Sequence, residues 1–292
     1  MSGDANKITR EYFESVLLEA RYLDSDLPDL SFELFGEKFK TPVMTAALSH
    51  LHNICDNAMT EIAKGALDAG AVHWVGMGEP EEMEDIFATG AKTIRIIKPH
   101  ADNKDVLWRI EHAQDNGAFA VGVDIDHAIA WNGEYDNVLN LPMRPKTTED
   151  IKTFVKASKV PFIVKGVLSV TDALKCIEAG VSGIVVSHHH GILQYAIPPL
   201  KILPEIVKAV DGRMKIFIDC GFESGMDIYK ALALGADAVC VGRNLMEPLK
   251  EGKAGVTRRI NELNRELSTV MARTNVKDLK SFDSSVIHYK NW

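Results

Sequence analysis

The chain repeats one joint five times. DAGAVHWVG, ATGAKTIRII, DNGAFAVGVD, EAGVSGIVVS and ALGADAVCVG each run from a helical stretch through a glycine into an apolar strand. The glycines are Gly70, Gly90, Gly117, Gly180 and Gly235. Each suits the left-handed position just past a helix end, where a Cβ would clash. The short apolar runs behind them, such as GIVVS and AVCVG, suit strands covered on both faces, as in a parallel sheet.

Three more runs fit the alternation without that glycine: PVMTAAL from Pro42, PFIVKGV from Pro161 and KIFIDC after Met214. The pattern predicts eight strands at 42–48, 73–77, 93–98, 119–125, 161–167, 183–189, 215–220 and 238–243. Eight β/α units predict a closed (β/α)8 TIM barrel. An open doubly wound sheet is the alternative, but no GxGxxG turn follows the first strand. Ser169 with Asp172 and Ser224 with Asp227 read as capping boxes of helices that end at Gly180 and Gly235. Residues 7–41 read as an N-terminal helix, ITREYFESVLLEARYL, and a short strand, FELFG. Residues 251–275 read as a C-terminal helix, and 127–146 as a long loop after strand 4. No linker or composition shift divides the chain, so residues 1–292 are expected to form one barrel domain.

Composition narrows the function classes. With 46% hydrophobic and 25% charged residues, disorder and low-complexity scaffolds are excluded. The 33 basic against 41 acidic residues give a net charge of −8, which argues against nucleic-acid binding. The polar N-terminus lacks the apolar segment of a secretory signal. No run approaches the roughly 18 apolar residues of a membrane span. Cys55, Cys176, Cys220 and Cys240 are scattered, with no CxxC. They read as reduced thiols, all four expected as buried small hydrophobes, in a cytoplasmic protein.

Barrel active sites form at the C-terminal strand ends. There the sequence places Ala46, Ala47 and Ser49, then Gly76 and Gly78, then Lys98 and His100. Strand 4 ends with Asp124 and Asp126, and strand 5 carries Lys165. Strand 6 ends in Ser187-His188-His189-His190-Gly191, strand 7 in Asp219-Cys220-Gly221, and strand 8 in Gly242-Arg243. Small residues at strands 7 and 8 let backbone N–H groups approach a phosphate, with Arg243 as its charged partner. Lys165, inside an apolar run, must face the barrel mouth or an ion pair with Asp124 or Asp219. Neighbouring strand residues point to opposite faces, so the three histidines cannot all hold one metal ion in strand geometry. One histidine with Asp124 makes an acid–base pair.

These residues, with FGEKFKTPVMTAAL at 35–48 and the whole of 160–250, resemble the FMN-dependent α-hydroxy-acid oxidases and dehydrogenases, such as glycolate oxidase and lactate oxidase. The resemblance implies an FMN-dependent oxidoreductase that oxidises a small hydroxy acid or related alcohol. His189 matches the catalytic base, Asp124 its carboxylate partner, and Lys165 the cation beside the flavin. Ala46, Ala47, Gly76, Lys98, Ser187, Asp219, Gly221, Gly242 and Arg243 are the further cofactor positions it implies. A homo-oligomer, in the family a tetramer, is implied too, with an electron acceptor that cannot be read.

The sequence departs from the family pattern at several points. Ile192 stands where an arginine clamps the substrate carboxylate, and Ile125-Asp126-His127-Ala128 offers no second one. Gly122 replaces a threonine, His100 a tyrosine and Glu223 an arginine. Lys98, His100, Arg144 and His188 are the candidates for substitute substrate contacts. Three alternatives stay open. One is a non-redox FMN isomerase. Another is a metal-dependent barrel lyase or isomerase with His189 or His190, Asp124 and His100 as ligands. The third is a flavin-binding protein without catalysis.

Overall fold

The structure is a computed structural model and describes residues 3–291. Eight parallel strands form the barrel, here numbered β1 (Val43–Thr45), β2 (His73–Val75), β3 (Thr93–Ile97), β4 (Ala120–Asp124), β5 (Phe162–Val167), β6 (Gly183–Val186), β7 (Lys215–Ile218) and β8 (Ala238–Val241). Each lies inside the span that the sequence pattern predicts. Their order around the sheet is β1-β8-β7-β6-β5-β4-β3-β2. The ring closes between its two end strands through a parallel bridge, Leu48 with Val75, and a bond from the Thr45 N–H to the Val72 carbonyl. All five joint glycines take positive φ, from 69° at Gly70 to 101° at Gly235.

Inside the barrel, Met44, Trp74, Ile94, Ile96, Ile163, Val185 and Phe217 form a packed layer. Trp74 meets Phe217 edge-on at 5.1 Å. Below it, the segment read as one strand is a hairpin, Phe32–Leu34 paired with Glu37–Phe39, whose apolar residues join the same cluster. The lower end is thus plugged with side chains.

The N-terminal helix is shorter than the sequence suggests. It runs from Ala5 to Ser15, with Asp4 capping it through the Asn6 and Lys7 N–H groups. Val16–Leu18 then forms a strand paired antiparallel with Ile287–Tyr289. Helical periodicity continues through VLL, but the partner that wins lies at the other end of the chain. The capping boxes are also half-realised. Ser169 and Ser224 accept the expected N–H bonds, but Asp227 turns to Arg10 instead of closing its box. The C-terminal helix, Gly252–Arg273, lies within the predicted span. Among the described residues no helix is long and apolar enough to cross a membrane.

Candidate active site

A cavity of about 710 Å3 opens at the upper ends of β5 to β8 and β1. Its wall includes Ala46, Ala47, Lys165, His189, Asp219 and Cys220, and Gly221, Gly242 and Arg243 continue it. That volume is in the range of cofactor sites. The N-terminal helix closes one side. Asn6 Oδ1 accepts from Arg243 Nη2 at 3.3 Å, and Asn6 Nδ2 donates to the His190 carbonyl at 2.9 Å. Arg10 forks onto Asp227 at 3.0 and 2.9 Å and lies 3.9 Å from Glu223. It thereby brings a guanidinium to the loop where Glu223 had replaced one.

The position of His189 is set by a break in the strand. β6 ends at Val186, and His189 and His190 take left-handed φ of 46° and 58°. Strand 6 therefore ends three residues earlier than the sequence predicts, because the Ser187 hydroxyl accepts the His189 N–H at 3.0 Å and starts a turn. Strain of this kind persists only where surrounding contacts enforce it. Ser187 is consequently a backbone anchor for His189, buried behind the cavity, and not one of the groups on its wall.

Two carboxylates meet the His189 ring. Nδ1 lies 2.6 Å from Asp126 Oδ1 and 3.4 Å from Asp124 Oδ2. The family resemblance names Asp124 alone, yet Asp126 makes the shorter contact. A bulge in β5 makes room for it. The β5–β6 register slips between Lys165 and Val167, and Gly166 adopts φ +92°. A Cβ at Gly166 would stand 2.6 Å from the Asp126 carboxyl. The lysine-glycine pair in PFIVKGV was the available signal.

Two ammonium groups balance these acids. Lys98 Nζ donates to Asp124 Oδ2 at 2.8 Å, and Lys165 Nζ lies 3.7 Å from Asp219 Oδ2 and 3.5 Å from His189 Nδ1. Burial opposes ionisation of Asp124, but Lys165, the bond to His189 and Lys98 hold its carboxyl well below the usual range. Burial and the adjacent Asp124 push Asp126 up to about 6. For His189, burial and Lys165 oppose protonation, while the two carboxylates outweigh them and raise its pKa. Burial also works against Lys165, yet Asp124, Asp219 and Asp126 keep it firmly protonated. One buried oxygen on each acid, Asp124 Oδ1 and Asp126 Oδ2, has no hydrogen-bond partner among the described residues.

Several sequence expectations fall elsewhere. His188 is buried, with Nε2 bonded to Thr9 Oγ1 at 2.8 Å and Nδ1 to the Gly191 N–H at 3.0 Å. Both ring nitrogens are used, so it ties the N-terminal helix to the barrel and is not a substrate contact. His100 is buried on the wall of a separate, smaller cavity, where burial and Arg109 lower its pKa to about 4. It is no substitute cation. Gly76 and Lys98 line that smaller cavity too. Arg144 is exposed on the loop, held by its N–H to the Pro99 carbonyl. That loop is less irregular than expected, with Asn137–Val138 paired to Leu141–Pro142.

The metal constellation does not assemble as read, because His190 bonds to Asn6 and His100 lies in the other cavity. Asp124, Asp126 and His189 do bring one ligand atom each within 4.8 Å of one another. Lys98 and Lys165 already supply positive charge to that cluster, which disfavours a divalent ion. The sequence pattern gives His127 no role of its own. Its ring meets His189 at 4.7 Å, nearly perpendicular, and its Nδ1 lies 2.6 Å from Asp136 Oδ2.

The residues present fit a flavin nucleotide. The cavity has an apolar floor at Ala46 and Ala47, a buried lysine on one wall, and a glycine-bordered end next to Arg243. Known proteins agree. The chain matches the family described as FMN-dependent dehydrogenase over residues 2–149 and 143–289. A 2-hydroxyacid oxidase of Dictyostelium discoideum is 38% identical, over 99% of this chain and 85% of its own length. An L-lactate oxidase of Nostoc is 28% identical, over 99% of this chain and 92% of its own. A mandelate oxidase solved with (S)-2-phenylpropionate superposes with a TM-score of 0.89 at 27% identity, covering 99% of this chain and 90% of that one.

Proposed function

The chain belongs to the FMN-dependent dehydrogenase family, and from that premise we propose that it oxidises a small 2-hydroxy acid with His189 as the base. The observation that carries this reading is the His189 ring on the cavity wall with two carboxylates at its Nδ1. FMN would be held by Ala46, Ala47, Asp219, Gly221, Gly242 and Arg243, and when bound it supplies the acceptor for two electrons.

The chain's own part is to move and hold a proton. Nδ1–H of His189 donates to Asp126, which leaves Nε2 as the basic nitrogen. Nε2 takes the proton of the substrate hydroxyl, and the imidazolium so formed is stabilised by Asp126 and Asp124. Lys98 fixes Asp124, and His127 packs edge-on against the base and limits its rotation. Lys165 holds a buried positive charge on the cavity wall, which would stabilise negative charge on a reduced flavin bound there. Asp136, bonded to His127 Nδ1, orients that ring against His189. A homo-oligomer belongs to the same reading, and light scattering of the purified protein checks it.

The test is anaerobic mixing of the FMN-loaded protein with glycolate, lactate and mandelate. At least one acid bleaches the flavin of the wild type. His189→Ala retains FMN but bleaches about 10²–10⁴-fold more slowly, the usual contribution of a positioned base. Equal rates in the two proteins would remove His189 from the role, and no bleaching by any 2-hydroxy acid would remove the substrate class.

A further inference from the structure

A second, smaller cavity lies beside the end of β3. Along β3, Ile94 and Ile96 point into the barrel core, while Ile97 joins the layer between strands and helices. Alternation puts Arg95 on that outer side. Its residue surface is only 3% exposed. Nε and Nη1 are buried with no hydrogen-bond partner, and Nη2 reaches only the Gly78 carbonyl at 3.5 Å. Burial, then the like charge of Arg109, lower its pKa to about 10, so it remains a cation at neutral pH. A buried guanidinium facing a second arginine lacks what such groups normally have, a counter-charge.

Next to it is a small cavity of about 30 Å3. Gly76, Gly78, Glu79, Arg95, His100 and Arg109 contribute to its wall. Glu79 is exposed and makes no bond to Arg95. The helix Pro80–Ala88 begins at this wall, and no side chain caps its first turn. Its N-terminal N–H groups add partial positive charge, opposed by the carboxylates of Glu81 and Glu82 in the same turn. One water needs roughly 10–15 Å3 of such space, so the cavity takes a pair of waters or one small anion. Waters would satisfy the N–H groups but not the charge.

We propose that this cavity is an anion site, in which Arg95 Nε and Nη1, supported by Arg109, hold a halide or the carboxylate of a very small acid. It shares no wall residue with the large cavity, and Lys98, on its wall, links it to Asp124 of the active site.

The test uses the FMN-loaded protein, with bromide and acetate as probes and gluconate, too large for the cavity, as the balancing salt. Thermal midpoints should rise saturably with bromide. Acetate giving the same rise would extend the site to carboxylates, and no rise with acetate would restrict it to halides. Arg95→Met should abolish the saturable part, and Arg109→Gln should weaken bromide affinity at least fivefold. A bromide-soaked crystal should show an anomalous peak beside Arg95, which decides the matter even if Arg95→Met does not fold. Equal midpoints in bromide and gluconate, or a crystal with only waters or the Glu79 carboxylate on Arg95, would overturn the proposal.

Discussion

The two sides of the barrel mouth are built by different means. At β7 and β8 the wall is made of small residues, with Gly221 and Gly242 at its edge and the N-terminal helix laid against it. At β3 to β6 the wall is made of buried ions: Lys98 on Asp124, Lys165 near Asp219, and His189 between Asp124 and Asp126. The first side is suited to holding an anionic group through backbone and one arginine. The second keeps acids and a base at close quarters, where each pKa depends on its neighbours. Binding and proton transfer are therefore expected to respond to different substitutions.

The largest separable effect should come from the first side. Arg243→Met removes a charge-assisted bond worth about 1.5–3 kcal/mol. FMN affinity should fall about 10–100-fold, measured by fluorescence titration of the apoprotein, while the reduction rate at saturating FMN falls far less. A matching loss in both would mean the two sides do not divide the work.

On the second side, Asp126→Asn keeps the shape and removes one carboxylate. Flavin reduction should slow about tenfold, a loss of roughly 1.4 kcal/mol in the transition state. Stability should move the other way. The Asp126 carboxyl titrates near 6 in the folded chain, above its ordinary 3.8. The folded state thus favours the protonated acid, and its stability falls as pH rises from about 4 to 6. Above pH 6 the asparagine variant should melt a few degrees higher than the wild type, and below pH 4 the two should melt alike. A variant that melts lower at pH 8 would mean the ionised Asp126 supports the fold.

The smallest effect concerns the contact that joins the helix to the mouth. Thr9→Val loses the buried bond to His188 Nε2. That is worth about 1 kcal/mol and should lower the melting midpoint by about 2 °C, with FMN reduction by substrate little changed. A large loss of activity would place His188 closer to the chemistry than its two bonds suggest.

These contrasts also explain what the sequence reveals. The eight strands are readable because each is a local apolar run between helical stretches, five of them marked by a glycine at the joint. Lys165, His189 and Asp124 are readable because ionisable residues stand out at strand ends. Asp126 is harder, since its partner lies 63 residues away and its space depends on the Gly166 bulge. His188 fails for a related reason: Thr9, 179 residues away, decides its role. The VLL segment extends the helical pattern locally, but its strand partner is Ile287–Tyr289. Local periodicity fixes elements, and contacts remote in sequence assign the side chains.

The central claim is that His189 works as a base whose proton affinity is set by both carboxylates. The pH dependence of anaerobic flavin reduction, compared between the wild type and Asp126→Asn, tests it most directly. In the wild type the rate should rise with pH as His189 loses its proton, with a midpoint above that of an ordinary histidine, because the carboxylates favour the imidazolium. Removing one of them should move that midpoint to lower pH. An unchanged midpoint, or a shift to higher pH, would contradict the account.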